Sequence, residues 1–254
     1  MSYPMPAAFV GQGLPANATA DNAWTRQWRV LGAAMQQPRA IVVVSPHWQT
    51  DGPRVTGAAA PATLVDATLP PALHGIAYPA PGDPQLAWHI AGLLGDDAAV
   101  DEARGLDHGA WGVLHPMFPG AAVPVLQLSL DRRLDGHGHY ALGRRLAPLR
   151  DEGVLLLGTG NIVHNLRDHD VRGAAPAWAS AFRDRVIDLV RRGDHAALCD
   201  WAALPDRRRA TLSPAHYLPL LYVLAGGRQG EVVRVFNDEL RGALAMTSLV
   251  VSPD

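Results

Sequence analysis

Short apolar runs recur at Pro6–Val10, Ala40–Val44, Val123–Leu130 and Gly153–Leu157. Each is too brief for a helix and long enough for a buried strand. Between them lie stretches with apolar residues at helical spacing. Asp21 and Asn22 can cap a helix carrying Trp24, Trp28 and Leu31. Pro84–Leu94 aligns Leu86, Ile90 and Leu93 on one stripe, Tyr140–Leu149 reads as amphipathic, and Ala175–Leu189 carries Trp178, Phe182, Ile187 and Leu189. Ser213 can cap a further helix, with Pro214 in its first turn and Leu218–Ala225 as its buried body. Strands alternating with helices predict an α/β fold in which a central, mostly parallel or mixed sheet is flanked by helices.

Four segments depart from this rhythm. Pro46 is expected to break the strand begun at Ala40, and Asp107–Trp111 to form a turn leading into Gly112–Met117. Gly57–Gly82 is rich in Pro, Ala and Gly and reads as an extended excursion bordering a pocket. The tail, Val232–Phe236 and Leu244–Val250, reads as two late or edge strands.

Composition narrows the class. A chain of 254 residues can bury one large core and contains no long linker, so residues 1–254 are read as a single domain. A formal charge of -2 without a basic tract argues against a nucleic-acid partner. No apolar run reaches membrane-spanning length, Met1–Val10 lacks a signal-peptide pattern, and Cys199 is the lone cysteine. The expectation is a cytoplasmic protein with no membrane partner, monomeric or a small homo-oligomer.

Four histidines stand where α/β folds collect functional side chains: Ser45-Pro46-His47-Trp48, Asp107-His108-Gly109, Asn161-Ile162-Val163-His164-Asn165 and Pro214-Ala215-His216-Tyr217. If His47 and His216 share a site with Gln12, imidazole suits Fe(II), Zn(II) or Mn(II), leaving His108 and His164 for proton transfer. The plainer alternative is that several of them hydrogen-bond within loops. Gly11-Gln12-Gly13 and Gly158-Thr159-Gly160 complete no phosphate-binding fingerprint, and neither a G-x-S-x-G elbow nor an H-E-x-x-H helix occurs.

Blocks in consistent order carry a family resemblance: Gly11-Gln12-Gly13 with Asp21-Asn22, Ser45-Pro46-His47-Trp48, Tyr78-Pro79-Ala80-Pro81-Gly82, Gly105 to Trp111, Pro124 to Ser129, Gly160 to Leu166, and His216 to Tyr222. In these the chain resembles the class III extradiol ring-cleavage dioxygenases, specifically their DOPA-dioxygenase-like branch. The resemblance implies a non-haem Fe(II) enzyme that opens a catechol-type or aminophenol ring with O₂. It implies His47 and His216 as metal ligands, His164 as the base that deprotonates a ring hydroxyl, and His108 as a substrate-contacting acid. Gln12, Trp48, Asn161 and Tyr217 are candidate substrate contacts, with Trp48, Trp111 and Tyr217 equally suited to the core. His139 is read as packing or capping, and no catalytic role falls to His74, His89, His115, His137, His169 or His195.

The chain departs from that pattern at two places. Gln12 stands where the family has its first histidine ligand, and Val65 stands before Asp66 where many relatives place a histidine. Gln12 could ligate through its amide oxygen, hold a water, or leave the position to Asp66 or Asp107. A Zn(II)-dependent hydrolase or lyase on the same scaffold, or a metal-free binding protein, are the alternatives this raises.

Overall fold

The computed structural model describes residues 4–170 and 173–254. In chain order its elements are β1 (Ala7–Gly11), α1 (Ala23–Ala34), β2 (Ala40–Thr50), β3 (Arg54–Thr56), α2 (Pro84–Leu94), β4 (Ala99–Asp101), α3 (His108–Met117), β5 (Val125–Asp131), α4 (Gly136–Leu146), β6 (Val154–Gly160) and α5 (Ala177–Arg192). There follow α6 (His195–Cys199), α7 (Arg207–Ala210), α8 (Leu218–Ala225), β7 (Val232–Phe236), β8 (Leu240–Arg241), β9 (Leu244–Ala245) and β10 (Ser248–Ser252).

Eight strands form one mixed sheet in the order β4-β3-β5-β2-β6-β1-β10-β7, and β8 and β9 make a small separate hairpin. The central pairs are parallel: β2 with β5, β2 with β6, and β1 with β6. β3 is antiparallel to β5, while β10 is antiparallel to both β1 and β7. Side chains alternate between two cores. Phe9, Val42, Leu126 and Leu156 face one side with α2, α4, α5 and α8, whereas Val10, Ile41, Val125 and Leu155 face the other with Trp28 of α1 and Trp111 of α3. Burial on both faces explains why β1, β2 as far as Val44 and β6 as far as Leu157 are continuously apolar, while β5 carries the buried Gln127 and Ser129 among its apolar residues.

Several boundaries differ from the sequence expectations, each for a local reason. β2 runs through Pro46 to Thr50. Its pairing with β6 ends at Val44 and that with β5 shifts register between Val44 and Gln49, so the missing Pro46 N–H breaks no ladder bond. The expected Asp107 turn is the first turn of α3, because the Asp107 carboxylate accepts the N–H groups of Gly109 and Ala110. α4 begins at Gly136, capped by Asp135, and its body ends at Leu146 before a 3-10 turn, Ala147–Arg150. In the tail β7 is the edge strand, but β10 lies inside the sheet between β1 and β7. Among the described residues no helix is long and apolar enough to cross a membrane.

Candidate active site

The C-terminal ends of β1 and β6, with the far half of β2, converge beside the first turn of α3. This is the edge where open α/β sheets place ligands. Gln12 follows β1 directly, its N–H donating to the Gly160 carbonyl at 2.8 Å. His47 lies on β2 within the register shift between Val44 and Gln49, and His108 is the first residue of α3. The His164 N–H donates to Ala210 O at 2.7 Å, and His216 closes the 3-10 turn Pro214–His216. A side chain at Gly160 would sit 2.2 Å from the His216 carbonyl, so only glycine lets this turn reach the strand end.

The four imidazoles form one cluster. His164 stacks on His216 with centroids 3.6 Å apart and planes 7° from parallel, and His47 lies against His108 at 3.9 Å. His47 and His216 meet edge to face at 5.2 Å. Gln12 Nε2 stands 3.1 Å from His47 Nε2 and 3.5 Å from His216 Nδ1. An amide nitrogen can only donate, so both ring nitrogens present lone pairs to one point. Burial keeps the rings neutral: it holds His47 and His164 down at about 4 and His216 well below its ordinary value. The neighbouring His108 and His164 add like-charge repulsion at His47 and His216 respectively. His108 is also lowered by burial, against the opposing pull of Asp107 and Asp66.

Gln12 Oε1 is buried and has no hydrogen-bond partner. Turning the amide over would bring this oxygen toward the same two ring nitrogens, where a cation between them, or ring N–H groups in the other tautomer, would satisfy it. Two neutral imidazoles and an orphaned amide oxygen therefore form a donor set that fits a divalent metal, with fewer strong donors than three histidines would supply. Among the described residues no three His, Cys, Asp or Glu side chains form such a group, in keeping with an amide at the third position.

Neither aspartate suggested as a substitute ligand is placed for it. Asp107 is 5% exposed and spends its carboxylate on Ser45 Oγ at 2.8 Å, Gly109 N at 3.0 Å, Ala110 N at 3.3 Å, Arg104 and the Gln127 amide. Asp66 accepts the Thr68 N–H at 2.7 Å on the surface, although its charge is felt by His47 and His108. Ser45, Asp107 and Gln127 thus act as a brace that orients His47 and His108. Sequence reasoning did not assign this brace, though Ser45 and Asp107 each sit beside a singled-out histidine. Gly109 belongs to it too, since an added methyl would lie 2.3 Å from Ser45 Oγ and 2.8 Å from the His47 ring.

The candidate substrate contacts separate. Gln12, Gly13, Leu14, Pro15, His108 and Gly112 line a recess of 10 Å³ at the cluster. Asn161 is fully buried, and its amide donates to Ala245 O at 2.7 Å. Tyr217 is also fully buried, donating to Leu198 O at 3.1 Å beside Trp201, so it is placed as a core anchor. Trp111 likewise donates to Leu64 O from within the core, while Trp48 is buried beneath Arg104. His139 is packed inside and bonds the Tyr222 hydroxyl at 2.9 Å. Val65 packs against the α3-side core. A cavity of 640 Å³ between Val190 and Val251 is lined by none of the four clustered histidines.

Residues 13–245 match the family described as the catalytic LigB subunit of aromatic ring-opening dioxygenase. The chain belongs to this family. It is similar to a protein of Escherichia coli K12 named 4,5-DOPA dioxygenase extradiol, at 42% identity over 97% of this chain and 94% of that one. A protein of the same name from Beta vulgaris is 34% identical over 93% and 92% of the two chains. The crystal structure of an uncharacterized Escherichia coli K12 protein superposes with a TM-score of 0.85 at 38% identity, covering 97% of this chain and 99% of that one. LigB-family enzymes cleave aromatic rings by extradiol chemistry and imply a catalytic metal.

Proposed function

We propose that the protein cleaves a catechol-type ring beside its hydroxyl pair, with Fe(II) held by His47, His216 and the amide oxygen of Gln12. The observation that carries this reading is the convergence of two neutral imidazoles on the Gln12 amide, whose own oxygen is buried and orphaned. Iron bound there would supply adjacent positions for the diol and O₂ and a route for electrons between them. His164, stacked on His216 and kept neutral chiefly by burial, accepts the proton of a ring hydroxyl as the diol binds. His108, fixed by the Asp107 cap against His47, faces the recess and returns a proton as the ring opens. Product release as a muconic semialdehyde follows. The single cysteine suits work in a reducing compartment such as the cytoplasm.

The test is anaerobic reconstitution with Fe(II), then oxygen uptake against a panel of catechols and aminophenols. Uptake with formation of a yellow ring-opened product is expected. With iron occupancy confirmed, silence across the panel refutes the reading. The weaker third donor favours one alternative, a Zn(II)-bound water used in hydrolysis or lyase chemistry, which would show as turnover without oxygen.

A further inference from the structure

The two edges of the main sheet are built differently. One ends in β4, three residues long, whose last member Asp101 turns its carboxylate onto the N–H groups of Ala103 and Arg104. So short an edge offers little to another strand. The other ends in β7, which pairs with β10 through all five residues without a register shift and contains no proline. Its outer side meets no strand among the described residues. Val232, Val233, Val235 and Phe236 are partly buried there, and the one charge, Arg234, is matched within the chain by Asp254 at 2.9 Å. None of the usual devices that blunt an edge is present beyond that single arginine.

A second layer backs this edge. α5 runs along β7 in the opposite direction: Arg183, near its start, donates to the Asp238 carboxylate at 2.6 Å just past the strand. At its finish Val190, Arg191 and Arg192 share the 640 Å³ cavity with Val232 and Val233, where the strand begins. With 16 residues the helix is about 24 Å long, enough to cover the whole strand. Its exposed side is divided by charge. Asp184 and Asp188 come first, with Arg185 among them, and Arg191 and Arg192 follow. Arg191 has no ion-pair partner among the described residues. The cavity is cationic as well, since Arg191, Arg192 and Arg228 outnumber Glu231, whose carboxylate Arg150 already holds.

We propose that β7 and α5 form the contact face of a homodimer, in which a second copy pairs edge to edge about a two-fold axis beside Arg234 and continues the sheet. Such an axis makes the two β7 strands antiparallel and sets Val233 of one copy beside Val235 of the other. It also carries the acidic segment after the strand, Asp238 and Glu239, toward the cationic cavity of the other copy. The two α5 helices run antiparallel, so the acidic half of each faces the basic end of its counterpart. Arg234 meets its own counterpart on the axis, but each arrives neutralised by Asp254. The contact needs neither metal nor substrate and stands apart from the ring-opening reading.

Sedimentation velocity over roughly 1–200 μM tests it. The mass of the unaltered protein should rise from 27.1 kDa toward twice that value, and exchange of the amides at 232–236 should slow as it does. D184R/D188R makes the helix face basic, and R191D/R192D makes it acidic, at exposed positions only. Each variant should associate at least about tenfold more weakly, and an equimolar mixture of the two should recover the dimer because the faces are then opposite in charge. A monomer at every concentration overturns the proposal, as does a dimer that both variants leave unchanged. If either variant shows no cooperative thermal transition, exchange in the unaltered protein decides: slowing at 232–236 with concentration upholds the contact, and a constant rate there overturns it.

Discussion

Replacing Asp107 by Ala tests whether the histidine cluster depends on the brace beneath it. The carboxylate caps α3 through Gly109 N at 3.0 Å and Ala110 N at 3.3 Å, and a lost cap costs about 1 kcal/mol. The change also strands two buried donors, the Ser45 hydroxyl and the Gln127 amide, at about 1–3 kcal/mol each. The half-exposed Arg104 adds little, since solvent screens it. The expected loss is therefore about 3–7 kcal/mol, a large part of the roughly 5–15 kcal/mol that holds a domain together. Urea unfolding measures it as a lower midpoint at unchanged slope. Asp107→Asn, which keeps one acceptor and the shape, should lose about half as much. Because Ser45 Oγ also accepts the His47 N–H at 3.3 Å, metal retention should fall in the same order. A loss under about 1 kcal/mol for D107A would refute the brace.

Two further outcomes follow from the same geometry. Gln12→His should tighten metal binding by at least about tenfold in a chelator competition, because imidazole is a stronger donor than a neutral amide; unchanged or weaker retention would deny Gln12 a place at the metal. His139, buried against Tyr222, is held at about 4 in the fold against 6.5 for a free ring, chiefly by burial. Between those values the unfolded chain binds the extra proton, so stability is complete above pH 6.5 and falls toward pH 4 by about 1.4 kcal/mol per unit for this ring. His139→Gln should flatten the pH dependence of unfolding by that amount, and an unaltered slope would show that His139 titrates freely.

The fold was legible wherever burial is two-sided. β1 and the start of β6 are continuously apolar, β5 places Leu126, Leu128 and Leu130 between buried polar residues, and Pro84–Leu94 carries both its cap and its stripe, so these elements stand close to their expected places. Pro46 misled because a missing N–H matters only where a ladder needs it, and whether a strand bulges depends on neighbours remote in sequence. β3 and β4, three residues each, are too short to show a period. At the site, motif order singled out the four clustered histidines, but their partners were hidden. Nothing local to Gln12 reveals that its amide lies between two imidazoles contributed by residues 35 and 204 positions away.

The place of β10 has a consequence for how the protein is made. β1, which delivers Gln12, has β6 on one edge and β10 on the other, with Ala7 paired to Val251. During synthesis the first strand must therefore wait with an unpaired edge until the last strand leaves the ribosome, through the making of nearly everything between them. Contacts closed over such a span form slowly and leave the edge open to wrong partners meanwhile. The nascent chain is most exposed to aggregation in that interval, and changes that weaken β10 should lower the yield of folded protein before they alter any property of the molecules that succeed.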